Sequence, residues 1–248
     1  MKPPILVEAC VESVAGAVAA ERAGAGRLEL CSGLAEGGVT PSAGLVRAVR
    51  ARVAIPVHVL LRPRPGSFVH DAGDVAAMLA DLRDLKLAGA DAVVLGSLTP
   101  DHLVDRETVA RLAERARPLG VAFHRAIDRT PDPGAALATL AELGIQRVLT
   151  SGGAATALAG APVLAALQRR FGATITILAG GGVRHDHVRR LVAETGVTEV
   201  HLGPRLPGGA GLDVAALDAV IAALRDEPGN THDPRAVQPP PSTMVSRS

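Results

Sequence analysis

An eight-stranded parallel α/β barrel is the architecture this sequence predicts, on three observations. Short apolar runs alternate with Ala- and Leu-rich helical stretches along most of the 248 residues, the rhythm of parallel βαβ units. Helical stretches repeatedly end in Gly just before an apolar run, where glycine supplies the left-handed residue past a helix end. Hydrophobic residues make up 48% of the chain and aromatics only 1%. Such a core is packed with Ala, Val, Leu and Ile, which suits parallel strands buried on both faces.

The elements follow in order. A first strand is expected over Ile5 to Cys10. Glu21-Arg22-Ala23-Gly24 then closes a helix before Leu28-Glu29-Leu30-Cys31. A helix from Ser42 to Arg52 precedes a third strand from Ile55 to Leu61. Lys86-Leu87-Ala88-Gly89 leads into Ala92 to Gly96. A helix from Asp105 to Arg117 leads into Val121 to Arg125, and Ala141-Glu142-Leu143-Gly144 into Arg147 to Gly152. The helix Pro162 to Phe171 precedes Thr174 to Ala179, and Val192-Ala193-Glu194-Thr195-Gly196 precedes Glu199 to Gly203. A last helix runs from Asp213 to Arg225. Eight strands in βα alternation specify a TIM barrel in one domain, residues 1–225. A doubly wound open sheet is the runner-up, but the Gly-x-Gly-x-x-Gly fingerprint expected after its first strand is missing. The Pro- and Ser-rich end, 226–248, carries no periodicity and is expected to be a disordered tail.

The net charge of +1 comes from intermingled acids and bases, which argues against a nucleic-acid binder, as does the scarcity of aromatic stacking groups. No apolar run approaches the roughly 18 residues of a membrane span. Met1-Lys2-Pro3-Pro4 passes into a strand-like run carrying Glu8, unlike a signal peptide. Two cysteines make no disulfide framework. The expectation is a soluble cytoplasmic protein with reduced thiols.

Working residues of such barrels sit at the C-terminal strand ends, and polar groups concentrate there. Glu8 and Cys10 share one face of the first strand, and Glu29 and Cys31 one face of the second, because residues i and i+2 point the same way. Neighbouring strands lie roughly 4.8 Å apart, so the two thiols could reach one ion. Soft thiolates select Cu(I) and zinc, and two ligands alone suit Cu(I) better than four-coordinate zinc. The bland alternatives are two small buried hydrophobes or a disulfide, against which the compartment argues.

Glu8 and Glu29 are candidate acid/base groups, since like charges held close raise one pKa; a satisfied core network is the alternative, with Arg62 expected as counter-charge. His124, beside Arg125 and Asp128, is a further acid/base candidate, as is Asp128. Arg62, Arg125, Thr150, Ser151, Gly180 and Gly181 could together cradle a small anion, through guanidinium groups and the amides of a Gly-rich loop. His185-Asp186-His187 is assigned to the start of a solvated helix.

Jointly, Glu8-Ala9-Cys10, Glu29-Leu30-Cys31-Ser32-Gly33-Leu34, Glu36-Gly37-Gly38, Thr40-Pro41-Ser42, Ile55-Pro56-Val57, Arg62-Pro63-Arg64, Phe123-His124-Arg125-Ala126, Leu149-Thr150-Ser151-Gly152 and Glu199-Val200-His201 resemble the CutC copper homeostasis proteins. The resemblance runs from about Ile5 to His201. It implies a single TIM barrel, a cytoplasmic location, a homodimer or homotetramer, and Cu(I) bound through cysteines at the positions of Cys10 and Cys31. The chain departs from the family after its last strand, where His201-Leu202-Gly203-Pro204-Arg205-Leu206-Pro207-Gly208-Gly209 replaces a longer loop. An enzyme acting on a small anionic metabolite, a phosphorylated one included, is the alternative function.

Overall fold

The structure, a computed structural model, describes residues 4–206 and 211–225. The tail expected over 226–248, and the Pro207-Gly208-Gly209 part of the shortened loop, lie outside the described residues. Eight parallel strands close on themselves in sequence order: β1 (Leu6–Val11), β2 (Arg27–Leu30), β3 (Val57–Leu60), β4 (Ala92–Leu95), β5 (Gly120–Phe123), β6 (Arg147–Thr150), β7 (Thr176–Gly180) and β8 (Glu199–Leu202). Around them run α1 (Val14–Ala23), α2 (Ala43–Arg50), α3 (Ala72–Ala88), α4 (Arg106–Ala116), α5 (Pro133–Glu142), α6 (Ala161–Phe171), α7 (Val188–Thr195) and α8 (Val214–Arg225). The predicted (β/α)8 architecture is present, and the open-sheet alternative is excluded by the β1–β8 pairing of Leu6 with Glu199.

Element ends shift where a side chain caps or turns. Ser42 and Asp105 stand outside their helices as N-caps, accepting from the amides of Leu45 and Thr108. Gly24, Gly89, Gly144 and Gly196 all adopt the left-handed conformation that their α-to-β turns require. Six of the strands stop one or two residues early, whereas β1 and β7 each run one residue further. Cys31, Arg62, His124 and Ser151 therefore fall just past strand ends, on the rim side.

Most of the apolar core lies between barrel and helices. A second, smaller cluster fills the upper interior: Cys10, Cys31, Leu60, Val94 and Ala122. The lower interior is polar, with Glu8, Arg27, Glu29, His58 and Glu199 all buried. Register sets their heights, with Glu8 opposite Arg27 and Cys10 opposite Glu29. Cys31 sits two residues further on, its amide donating to the Val11 carbonyl at 3.0 Å.

The loop after β6 is pressed backbone to backbone against the start of α6. A Cβ on Gly160 would lie 1.9 Å from the Ser151 carbonyl oxygen, and no side-chain rotation relieves that. Gly160→Ala is expected to destabilise the protein by about 1–3 kcal/mol, the range for overpacking, read from the urea midpoint. An unchanged midpoint would contradict this packing.

Candidate functional site

Charge at the bottom of the barrel interior is organised by Arg27. Its guanidinium donates to Glu8 through Nε and to Glu199 Oε2 at 2.6 Å through Nη2. Arg147 adds two bonds to Glu199, at 2.6 and 2.9 Å. Arg27, and not Arg62 as the sequence led one to expect, balances the glutamates. Arg27 alternates with Glu29 on β2 and pairs in register with Glu8, so it reaches them directly. Arg62 instead donates to the carbonyls of Gly37, Gly38 and Gly66, at 3.1, 2.9 and 2.8 Å.

His201 forms the next layer. Its Nδ1 lies 2.8 Å from Glu8 Oε1 and its Nε2 3.6 Å from Glu29 Oε2. Burial opposes ionisation of Glu8, yet the His201 hydrogen bond and the Arg27 charge outweigh it and hold the carboxyl well below the usual range. Burial pushes Glu29 the other way, raising its proton affinity. His201 is also raised: burial disfavours its cation, but the charges of Glu29 and Glu8 win. Glu8 is thus a fixed counter-ion, while Glu29 and His201 form a closely spaced pair that can hold and pass a proton.

Above this pair lie the thiols. Cys10 Sγ and Cys31 Sγ are 3.7 Å apart, both are free and both are buried. The hydrogen bond with Cys31, then burial and the Glu29 charge, raise the Cys10 thiol well above its ordinary value. Ligating atoms of Cys10, Glu29 and His201 all fall within 4.8 Å of one another. One thiol, a carboxyl and an imidazole thus converge, with the second thiol beside the first, and that donor set suits a soft or borderline metal ion.

The remaining sequence candidates separate into two groups on the rim. Asp128 accepts from Thr150 Oγ1 at 2.5 Å, from the Ser151 amide and hydroxyl, and from the Gly153 amide. Arg125 donates to Asp128 at 2.8 Å and to Ser151 Oγ at 2.9 Å. Gly181 packs on this cluster, since a Cβ there would meet Arg125 Nη1 and Ser151 Cβ, each at 3.3 Å. Gly180 faces inward, where a Cβ would lie 2.5 Å from Leu149 Cδ1. His124 joins neither the thiols nor the Asp128 cluster, and packs on Phe68 with ring centroids 4.8 Å apart. His187 is the residue before α7, so the His185-Asp186-His187 stretch does start a helix.

Comparison with known proteins gives the family. The CutC family matches residues 5–205. The chain belongs to the CutC family. It is 47% identical over 207 residues to the copper homeostasis protein cutC homolog of Mus musculus, covering 84% of this chain and 76% of that protein. A CutC family protein of Xanthomonas campestris is 47% identical over 204 residues, covering 82% and 85%. The crystal structure of CutC from Streptococcus agalactiae superposes with TM-score 0.75 at 32% identity, covering 79% of this chain and 97% of that one. The phosphoribosylanthranilate isomerase of Pyrococcus furiosus, at 15% identity and TM-score 0.57, shares the fold alone.

Several residues of this CutC interior carry roles that motif reading missed: Arg27, His58, Arg147 and Glu199. For Arg27 and Glu199 the signal was alternation, Arg27-x-Glu29-x-Cys31 and Glu199-x-His201; His58 and Arg147 carried no such pattern. His58 makes this CutC barrel sensitive to acid. Burial lowers its pKa to about 4, against the raising effect of Glu8. Between pH 6.5 and about 4 the unfolded chain therefore binds a proton that the folded chain refuses, and stability falls as pH falls. Each pH unit removes about 1.4 kcal/mol on this account. Urea unfolding of wild type and His58→Gln across that window checks it: the stability difference between them should shrink as the medium is acidified. A difference independent of pH would contradict it.

Proposed function

We propose that this protein serves copper homeostasis in the cytoplasm by binding Cu(I) between Cys10 and Cys31. The observation that carries the reading is the buried thiol pair at 3.7 Å, unbridged and enclosed by Leu60, Val94 and Ala122. Metal–thiolate bonds of about 2.3 Å to sulfurs at this spacing subtend about 107° at the metal. A linear two-coordinate ion would need the sulfurs about 4.6 Å apart by the same bond length. The pair thus favours a bent chelate, with room for a further donor from Glu29 or His201. An apolar collar over soft ligands retains Cu(I) and keeps water away from it. The names of the mouse and human relatives, copper homeostasis protein cutC homolog, agree with this reading.

Binding requires thiolates, so the raised Cys10 thiol gives up its proton as the metal enters. Affinity should consequently rise with pH. A competition titration with a Cu(I)-selective chelator tests the assignment. Cys10→Ser with Cys31→Ser should lose at least a hundredfold in affinity. An affinity equal to that of wild type would overturn the assignment.

A second reading, a barrel enzyme acting on a small anionic metabolite, is favoured by the Glu29–His201 pair. Both groups have raised proton affinity, and they lie 3.6 Å apart, as a proton-transfer couple would. In that reading Glu29 and His201 move protons while Glu8 holds the imidazole in place.

A further inference from the structure

Two buried hydrogen-bond donors beyond the ends of β3 and β5 meet no acceptor. The first is on His124. Its Nδ1 accepts the Ala126 amide at 3.1 Å, so that nitrogen carries the lone pair and the proton of the neutral ring resides on Nε2. Burial, with the nearby Arg62 charge, holds the ring at about 3, so it is neutral throughout the physiological range. Nε2–H is buried and unpartnered, in a residue only 6% exposed. The second donor is Arg62 Nε–H, likewise buried and unpartnered. The rest of the Arg62 guanidinium is spent on the Gly37, Gly38 and Gly66 carbonyls, which fix its plane.

Phe68 connects the two. The Arg62 guanidinium stands 4.9 Å over its ring, and the His124 ring packs on it at 4.8 Å. Phe68 and Arg62 also line a cavity at the rim together with His102, Arg125 and Arg129. Glu36 and Asp128 border the same cavity, but Asp128 is occupied by Thr150, Ser151, Gly153 and Arg125. Three guanidinium groups and two carboxylates thus border the cavity, and since Arg125 and Asp128 are already paired with each other, Arg62 and Arg129 stand against Glu36 alone.

A metal ion does not fit these donors, because neither Nε2–H nor a guanidinium has a lone pair to give. An oxygen acceptor does fit, and a charged one gains most from buried donors. We propose that this part of the rim binds the oxyanion group of a small metabolite, a carboxylate or a phosphate, whose oxygens accept from His124 Nε2–H and Arg62 Nε–H beside the cavity that Arg62 and Arg125 line. The site is separate from the thiol pair and does not depend on copper.

The test uses the full chain titrated with inorganic phosphate and, separately, with malonate, followed by NMR of the histidine ring nitrogens. A saturable shift of the His124 signal with either probe is expected, and the probe that saturates identifies the headgroup. His124→Asp keeps an acceptor for the Ala126 amide but removes the Nε2–H donor and brings a negative charge to the site, so binding should vanish. His124→Asn keeps both acceptor and donor and should bind within about tenfold of wild type. Arg125→Gln, at a half-exposed side chain, should weaken binding about tenfold, the loss of one charge-assisted contact. The Cys10→Ser, Cys31→Ser protein should bind as wild type does. No saturable shift with either probe, or undiminished binding by His124→Asp, would overturn the proposal.

Discussion

Arg27 bridges Glu8 and Glu199 inside the barrel, and the polar interior is oriented from that ion pair. Isolated ions in such surroundings cost several kcal/mol each in lost hydration, and removing one partner of a buried pair costs about 3–5 kcal/mol. The glutamates can therefore stay ionised only while Arg27 and Arg147 face them. With Glu8 held as an anion, His201 has a fixed acceptor for Nδ1, and its other nitrogen is aimed toward Glu29. Packing alone would not impose this order on an interior otherwise built of small aliphatic side chains.

The interior changes character along the barrel axis. Fixed charge at the floor gives way to a proton-sharing pair, then to thiols under an aliphatic collar. Each layer conditions the next. The Cys31 hydrogen bond, burial and the Glu29 charge together keep Cys10 protonated until a metal competes for it, which makes loading a metal-for-proton exchange. The same Glu29 and His201 that would serve acid/base chemistry stand where a departing thiol proton would go. Copper handling and proton transfer consequently draw on one set of residues, whereas His124 and Arg62 belong to a different part of the rim.

Much of the barrel was legible in the sequence because its signals are local. Apolar runs, Gly-ended helices and Ser or Asp caps mark each unit without reference to the others. The thiol pair was legible for the same reason, since Glu8-x-Cys10 and Glu29-x-Cys31 declare their own faces. What escaped was register. Arg62 looked like the counter-charge because it ends the neighbouring strand, but pairing of Glu8 with Arg27 is a property of two strands together. Arg147 and Glu199, remote in sequence from Glu8, join the network only once the barrel closes between β8 and β1. His124 was marked as a chemical group, yet its tautomer depends on the Ala126 amide, which no spacing rule reveals.

The central claim is that one buried metal ion is held by both thiols of a single chain. X-ray absorption at the copper edge, on protein loaded with one equivalent of Cu(I), addresses it most directly. Two sulfur scatterers at about 2.3 Å, accompanied by a lighter nitrogen or oxygen neighbour, are predicted. A shell of nitrogen and oxygen alone, or one with three or more sulfurs, would contradict it.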